Sequence, residues 1–444
     1  MIASWRRKKA SRAAKGGNGV EMTPSELIIP NHFRCPISLD MMKDPVTLST
    51  GITYDRENIE KWIESGNITC PMTNQVLRTL EPIPNHTIRR MIQDWCVENR
   101  AHGVERIPTP RVPVSSDEVG HILEKISMSR APQDCKELVG TIIRWMKESE
   151  RNKRCIIENG GAMTLASTFY SFAEGDGENV ISLLEDVMNG LTFMMPFNYE
   201  AEGHLKSFRS LERLVWFMKS GGLSGRVNAT LIIKELISNP RGVANVIQIL
   251  VKSEGAIEGL IKLIKEPICA SSTKASLIVI YHMIVSTTDL SSQCTIVGRL
   301  VDLGLVSFVL DILVDADKSI CEKSLGVLDA ICQCDIGRTA VYNSALTVPV
   351  VVKKILRISD LATEFSVSVL WRLCDYERRE DGGVIVEALE VGAFQKLLLI
   401  LQVGCNINEK SKEKVTKLLK LLNQFRSKVE CIEPMDFKNL KRSF

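Results

Sequence analysis

The chain has 444 residues, too many for one ordinary core, so two or three domains are expected. Apolar residues make up 45% and charged residues 25%, a balance that excludes wholesale disorder. The net charge is only +3, and six cations (Arg6, Arg7, Lys8, Lys9, Arg12 and Lys15) precede the first acid, Glu21, so the rest of the chain has no positive excess and is a poor nucleic-acid binder.

Residues 1–26 read as a basic, flexible tail. Position 2 is Ile, which excludes N-myristoylation, and no apolar core of signal-peptide type follows. The longest apolar stretch, near Leu277–Val285, is far short of the ~20 residues a membrane span needs. Thirteen cysteines, an odd number without a tight framework, read as free thiols in a reducing compartment, the cytoplasm or nucleus.

Residues 27–102 read as a compact unit of short apolar runs and turns. Cys35-Pro36 and Cys70-Pro71 form matched turns, each followed by a hydroxyl, Ser38 and Thr73. Pro45-Val46-Thr47 and Ile52-Thr53-Tyr54 are short strands around a turn at Gly51. Asp55 is placed to N-cap a helix over Arg56–Glu64 with Ile59, Trp62 and Ile63 on one face. Asn85 caps a second helix carrying Ile88, Met91, Ile92 and Trp95.

A structural zinc site needs ligand pairs at short spacing. The partners that Cys35 and Cys70 would need are Ser38 and Thr73, and His32, His86 and His102 supply no second pair, so no metal is expected. No His stands beside Cys35 or Cys70 in the pattern of an ion pair, and both precede Pro, so neither reads as a nucleophile. Cys332 and Cys334 read as core or surface thiols, and His282, in an apolar run, as a core histidine.

Residues 103–114 contain Pro108, Pro110 and Pro113 and read as a linker. Residues 115–433 repeat. Apolar residues at i, i+3, i+4 and i+7 recur in one series: Leu211/Leu214/Val215/Met218, Ile257/Leu260/Ile261/Ile264, Val306/Val309/Leu310/Leu313, Val348/Val351/Val352/Ile355 and Phe394/Leu397/Leu398/Leu401, with a weaker member at Met163. A second series follows each by about twenty residues, from Leu184/Val187/Met188/Leu191 through Leu325/Leu328/Cys332 to Val415/Leu418/Leu419/Leu422. A helix pair cannot bury such stripes alone, so neighbours must stack into an α-solenoid. Gly161, Gly255, Gly304 and Gly392 sit two residues before the first series, where a tight turn would use a positive φ. Residues 434–444 are a C-terminal tail.

Two resemblances follow. "IIENGGAM", "VKSEGAIEGLIKLI" and "LEVGAFQKLLLIL" resemble armadillo repeats, with HEAT-type helix pairs as the alternative. Residues 33–96, with the Cys-Pro-Ile loop, "DPV", "TYD", the Trp-bearing helix, "CP-T" and a closing "PN" helix, resemble the U-box, a metal-free relative of the RING finger. The whole is similar to the plant U-box ubiquitin ligases with armadillo repeats: mainly α, a small α+β U-box followed by an α-solenoid. Cys35, Ser38, Asp44, Val46, Tyr54, Cys70 and Thr73 match the U-box structural positions.

The resemblance implies a ligase that forms no covalent ubiquitin intermediate and needs no cofactor. It would dock a ubiquitin-charged conjugating enzyme, ubiquitin would pass to a substrate lysine, and the solenoid would hold the substrate. It also implies a place in plant stress or immune signalling. Docking maps onto Pro36, Ile37, Trp62 and Pro71, with Asn74 where efficient relatives carry Arg. For Trp62 and Ile37 ordinary core packing is the alternative, and for Asn74 a mere turn-shaping role. The rival function is a non-catalytic armadillo scaffold with a decayed U-box. A nuclear-import adaptor would show regularly spaced Trp/Asn pairs, whereas only Trp216 and Trp371 stand in the repeats.

Overall fold

The computed structural model describes residues 29–107, 113–240, 242–377, 382–403 and 407–428. The tails expected at 1–26 and 434–444 lie outside these. The chain divides into two compact units, the boundary falling between residues 112 and 113.

In the first unit, β1 (Pro45–Thr47) is the centre of a three-stranded antiparallel sheet, between β2 (Thr53–Asp55) and β3 (Ile83–Pro84). Val46 lies opposite Tyr54, and both are fully buried. Helix α1 (Arg56–Glu64) follows β2 directly and buries Ile59. Helix α2 (His86–Glu98) buries Ile92 and Cys96, while Met91, expected on its apolar face, is exposed. Asn85 caps α2 as expected: its side-chain oxygen accepts from the Ile88 N–H at 3.0 Å. Its amide nitrogen also donates to Thr47 and Thr53 at 3.1 and 3.2 Å, tying the helix start to both strands.

Two expectations for this unit are corrected. Asp55 occupies the N-cap position of α1, but its side chain makes no capping bond. It turns back and accepts from the consecutive Lys43 and Asp44 N–H groups, both at 2.8 Å. Two convergent donors satisfy a carboxylate better than one helix-end N–H. Of the linker expected over 103–114, Ile107 is buried in the core of this unit and Val104 packs against that core, while residues 108–112 lie outside the described residues.

The second unit begins with Ser115, whose side chain and Glu118 form a reciprocal capping box at the start of α3 (Ser116–Met128). Val114, assigned to the linker by sequence, packs against the core of this unit. Helix α4 (Pro132–Glu148) completes the entry. Six helical triplets follow. The first is α5 (Glu150–Glu158), α6 (Gly161–Phe172) and α7 (Glu178–Phe193). The second is α8 (Tyr199–Leu205), α9 (Phe208–Ser220) and α10 (Leu223–Ser238). The third is α11 (Val243–Lys252), α12 (Ala256–Lys265) and α13 (Ala270–Val285). The fourth is α14 (Leu290–Asp302), α15 (Leu305–Asp315) and α16 (Lys318–Ile331). The fifth is α17 (Asp335–Tyr342), α18 (Thr347–Lys354) and α19 (Asp360–Tyr376). The sixth is α20 (Gly383–Glu390), α21 (Ala393–Val403) and α22 (Glu409–Phe425).

The two sequence series are the second and third helices of each triplet. The first helix of each triplet went unnoticed in the sequence: α17 buries only Gly337 and Val341, and the buried face of α14 begins with a polar residue, Gln293, ahead of Ile296, Val297 and Leu300. Three helices per repeat set aside the helix-pair alternative. Third helices pack in sequence, α7 on α10, α10 on α13, α13 on α16, α16 on α19 and α19 on α22. In α21 the buried face is Ala393, Leu397 and Ile400, and Leu401 is exposed, one position off the expected stripe.

Gly255, Gly304 and Gly392 have the expected positive φ, but in the first triplet that residue is Gly160, at +84°. Gly161 serves another need: a Cβ there would lie 2.6 Å from Ile156 Cγ2 and 2.7 Å from its carbonyl oxygen. Cys332 and Cys334 are both buried. No described helix is long and apolar enough to cross a membrane.

Candidate functional site

The two Cys-Pro turns of the first unit are one turn made twice. In the first, the Cys35 N–H donates to the Asp40 carbonyl and the Leu39 N–H donates back to the Cys35 carbonyl, both at 2.8 Å. In the second, Cys70 donates to Gln75 and Asn74 to Cys70, both at 2.9 Å. Ser38 Oγ accepts from the Asp40 N–H at 3.4 Å, and Thr73 Oγ1 from the Gln75 N–H at 3.5 Å. The fifth residue of each turn is left-handed, Leu39 at φ +63° and Asn74 at +56°.

Helix α1 holds both turns from one face. Asn58 donates to Ser38 Oγ at 3.2 Å and reaches Cys35 Sγ at 3.6 Å. Trp62, one helical turn on, donates its indole N–H to the Thr69 carbonyl at 2.7 Å, just before the second turn. Trp62 is half-buried against the core, so its ring has both a packing role and an exposed edge.

Both turn cysteines are sealed from solvent, and their sulfurs accept hydrogen bonds. Cys35 Sγ accepts from the Asp55 N–H at 3.3 Å. Cys70 Sγ accepts from Thr50 Oγ1 at 3.3 Å and meets Tyr54 OH at 3.1 Å. Tyr54 OH itself accepts from the Met72 N–H at 3.3 Å. Burial pushes the Cys70 thiol up, but hydrogen bonds from Thr50, Thr73 and Tyr54 outweigh it and draw the pKa down to about 6. Burial, followed by the bond to Cys70, holds the Tyr54 hydroxyl above its ordinary range. Burial likewise raises the Asp55 carboxyl, against the pull of its two backbone donors.

Charge is concentrated on Asp44. One oxygen accepts from Arg56 Nε at 2.7 Å and the other from Arg89 Nη2, joining the start of α1 to α2. This ion pair and the sulfur-centred bonds tie together the loops, sheet and helices.

Around this braced interior the tips of the two turns are apolar. Ile37 is 39% exposed, Leu39 66% and Met72 61%, with Pro36 and Pro71 half-buried beside them. Leu39, Met72 and Asn58 were not singled out from the sequence. The repeat of one turn along the chain was the available signal, since it aligns Leu39 with Asn74 and Ile37 with Met72.

Residues 29–101 match the U-box domain model, and residues 118–442 match the plant U-box protein ARM repeat region. U-box domain-containing protein 20 of Arabidopsis thaliana is 44% identical over 94% of this chain and 93% of that protein. The chain belongs to the plant U-box proteins with armadillo repeats.

U-box domain-containing protein 21 of the same plant is 43% identical over 95% of this chain and 94% of its own length. E3 ubiquitin-protein ligase PUB23, also from Arabidopsis thaliana, is 34% identical over 89% and 93%. The six triplets are therefore the ARM region of such a protein, and the double turn clamped by α1 is the interior of its U-box.

Proposed function

We propose that the tips of the two U-box turns dock a ubiquitin-charged conjugating enzyme while the solenoid recruits the protein substrate. The chain is a U-box ubiquitin-protein ligase, of the kind that forms no covalent bond to ubiquitin. Its contribution is to hold the thioester still while a lysine amine attacks the carbonyl carbon: a C–N bond forms, the C–S bond breaks, and the thiol leaves on the conjugating enzyme.

The observation that carries this reading is the exposure of Ile37, Leu39 and Met72 on turns fixed by Asn58 and Trp62. Large apolar side chains on a braced tip have no core to join, and such anchors dominate docking energies. Pro36 and Pro71 limit the motion of the tips, and Trp62 offers a ring edge beside the second. Asn74 offers an amide shorter in reach than Arg, so activation of the thioester is weaker than in relatives with Arg there. The cysteine usage suits work in the cytoplasm or nucleus.

The test is Ile37→Ala in the full chain. The melting temperature stays unchanged, whereas affinity for the conjugating enzyme falls by about thirtyfold, equivalent to ~2 kcal/mol, and chain formation falls with it. Full ubiquitination activity in the folded variant removes the docking role. Absence of any ligase activity in the wild type, with a panel of conjugating enzymes, leaves the scaffold reading.

A further inference from the structure

The first helices α14 and α17 belong to neighbouring triplets and pack side by side. A glycine early in α17 permits the close approach: a Cβ on Gly337 would stand 2.7 Å from Val297 Cγ1 of α14. Four residues before each of these stand Gln293 and Gln333, and Gln293 Nε2 donates to Gln333 Oε1 at 3.4 Å. The two contacts keep one register, 293 with 333 and 297 with 337. The residues that follow the glutamines, Cys294 and Cys334, are therefore carried to the same seam. Their side chains meet there, the Cys334 thiol being hydrogen-bonded to the Cys294 sulfur.

The backbone on both sides of this contact is held. Gln293 Nε2 also donates to the Ile284 carbonyl at 3.1 Å, which ties the start of α14 to the end of α13. Arg338 reaches back from α17 to the Cys332 and Gln333 carbonyls at 3.2 and 3.4 Å, and its N–H donates to the Cys334 carbonyl at 2.9 Å. A disulfide requires two cysteines whose backbones already stand close and whose side chains converge. Cys294 and Cys334 meet that requirement without rearrangement of the helices.

The two thiols are unlike in access. Cys294 is half-buried, whereas Cys334 is 2% exposed. Burial, followed by the bond to Cys294, pushes the Cys334 thiol up to about 12. Protonated and sealed, Cys334 is not the sulfur that a dissolved oxidant reaches first.

We infer that Cys294 and Cys334 form a paired oxidation site, a dithiol that peroxide converts into a reversible disulfide between α14 and α17. The Cys294 sulfur takes one oxygen from hydrogen peroxide, giving a sulfenic acid and water. The Cys334 sulfur then attacks that sulfur: the S–S bond forms, the S–O bond breaks, and the hydroxyl leaves with the Cys334 proton as a second water. Two electrons pass from the dithiol to the peroxide. The bridge staples the first helices of the fourth and fifth triplets at a place where α17 buries only Gly337 and Val341. In a reducing compartment the bond is transient, because a thiol can attack the half-buried Cys294 sulfur and restore the dithiol.

The experiment uses the full-length protein, reduced, freed of reductant and treated with a small excess of hydrogen peroxide. Remaining thiols are alkylated, and the protein is digested without reductant and mapped by mass spectrometry. The Cys294 and Cys334 peptides should be recovered joined, with the loss of two hydrogens, and dithiothreitol should separate them. Cys334→Ala removes the resolving sulfur, so Cys294 should accumulate as the sulfenic acid and be captured by dimedone. Cys332→Ala, a change at an equally buried thiol two residues away, should form the bridge as the wild type does. Recovery of Cys294 and Cys334 as alkylated free thiols from the treated wild type overturns the inference. Linkage of Cys294 to any other cysteine, within the chain or between chains, overturns it as well. None of these readouts involves ubiquitin, so the inference stands or falls apart from the ligase reading.

Discussion

Leu39 and Asn74 hold the same place in two copies of one turn, each left-handed, each with its N–H bonded to the carbonyl of a cysteine four residues earlier. Asn tolerates that conformation through its short polar side chain, whereas Leu pays roughly 1–2 kcal/mol for it. Leu39 recovers little by burial, being 66% exposed. A strained and exposed leucine points to selection for contact with a partner. Leu39→Asn should therefore stabilise the U-box by up to about 1 kcal/mol in denaturant unfolding and at the same time weaken conjugating-enzyme binding. Loss of stability together with unchanged binding would show that Leu39 serves the fold.

The end of the U-box can be tested by length. A fragment of residues 27–102 lacks Val104 and Ile107, and Ile107 is only 6% exposed. Extending the fragment to residue 107 should add about 1.5–3 kcal/mol, the worth of burying one such side chain. Equal melting temperatures for the two fragments would place Ile107 outside the core.

Cys70 makes a prediction about pH. With its folded pKa lowered to about 6, below the ordinary thiol value near 8.5, folding favours the thiolate. That contribution is fully present above about pH 8.5 and is lost as pH falls through about 6, so U-box stability should rise with pH across this window. Unfolding of the U-box fragment at several pH values, wild type against Cys70→Ser, measures it: the rise should flatten in the variant. An identical pH profile would mean that the sulfur stays protonated.

In the solenoid, adjacent glycines answer to different forces. Gly160 needs its positive φ and has open space around it, while Gly161 has Ile156 where a Cβ would stand. Gly160→Ala should cost about 1–2 kcal/mol and Gly160→Asn less, since Asn accepts the left-handed conformation. At Gly161 the order should reverse, with Ala costing about 1–3 kcal/mol by overpacking and Asn more. Thermal melts of the four variants decide it; the same order at both sites would refute the assignment.

Much of this protein was legible in its sequence because the relevant forces are local. The stripes of the second and third helices of each repeat are written by the 3.6-residue period, and Asn85 and Ser115 cap helices through groups three residues away. The paired Cys-Pro turns, with a hydroxyl at the same offset, announced themselves by repetition. Other features depended on groups brought together only through space. Asp55 stands where a cap should, yet bonds Lys43 and Asp44, whose N–H groups converge on it once β1 and β2 pair. Among the first helices, α17 buries only Gly337 and Val341, and the buried face of α14 opens on a polar residue, Gln293, so neither stood out as an apolar stripe. Leu401 and Ile400 are adjacent and equally apolar, and only the position of α22 and its neighbours leaves one exposed and buries the other. The clamp formed by Asn58 and Trp62 needs two turns 35 residues apart in sequence to lie on one face of α1, and sequence spacing carries no trace of that proximity. Periodicity and capping are determined within a few residues, while the direction of a side chain among competing partners is decided by the tertiary fold that supplies them.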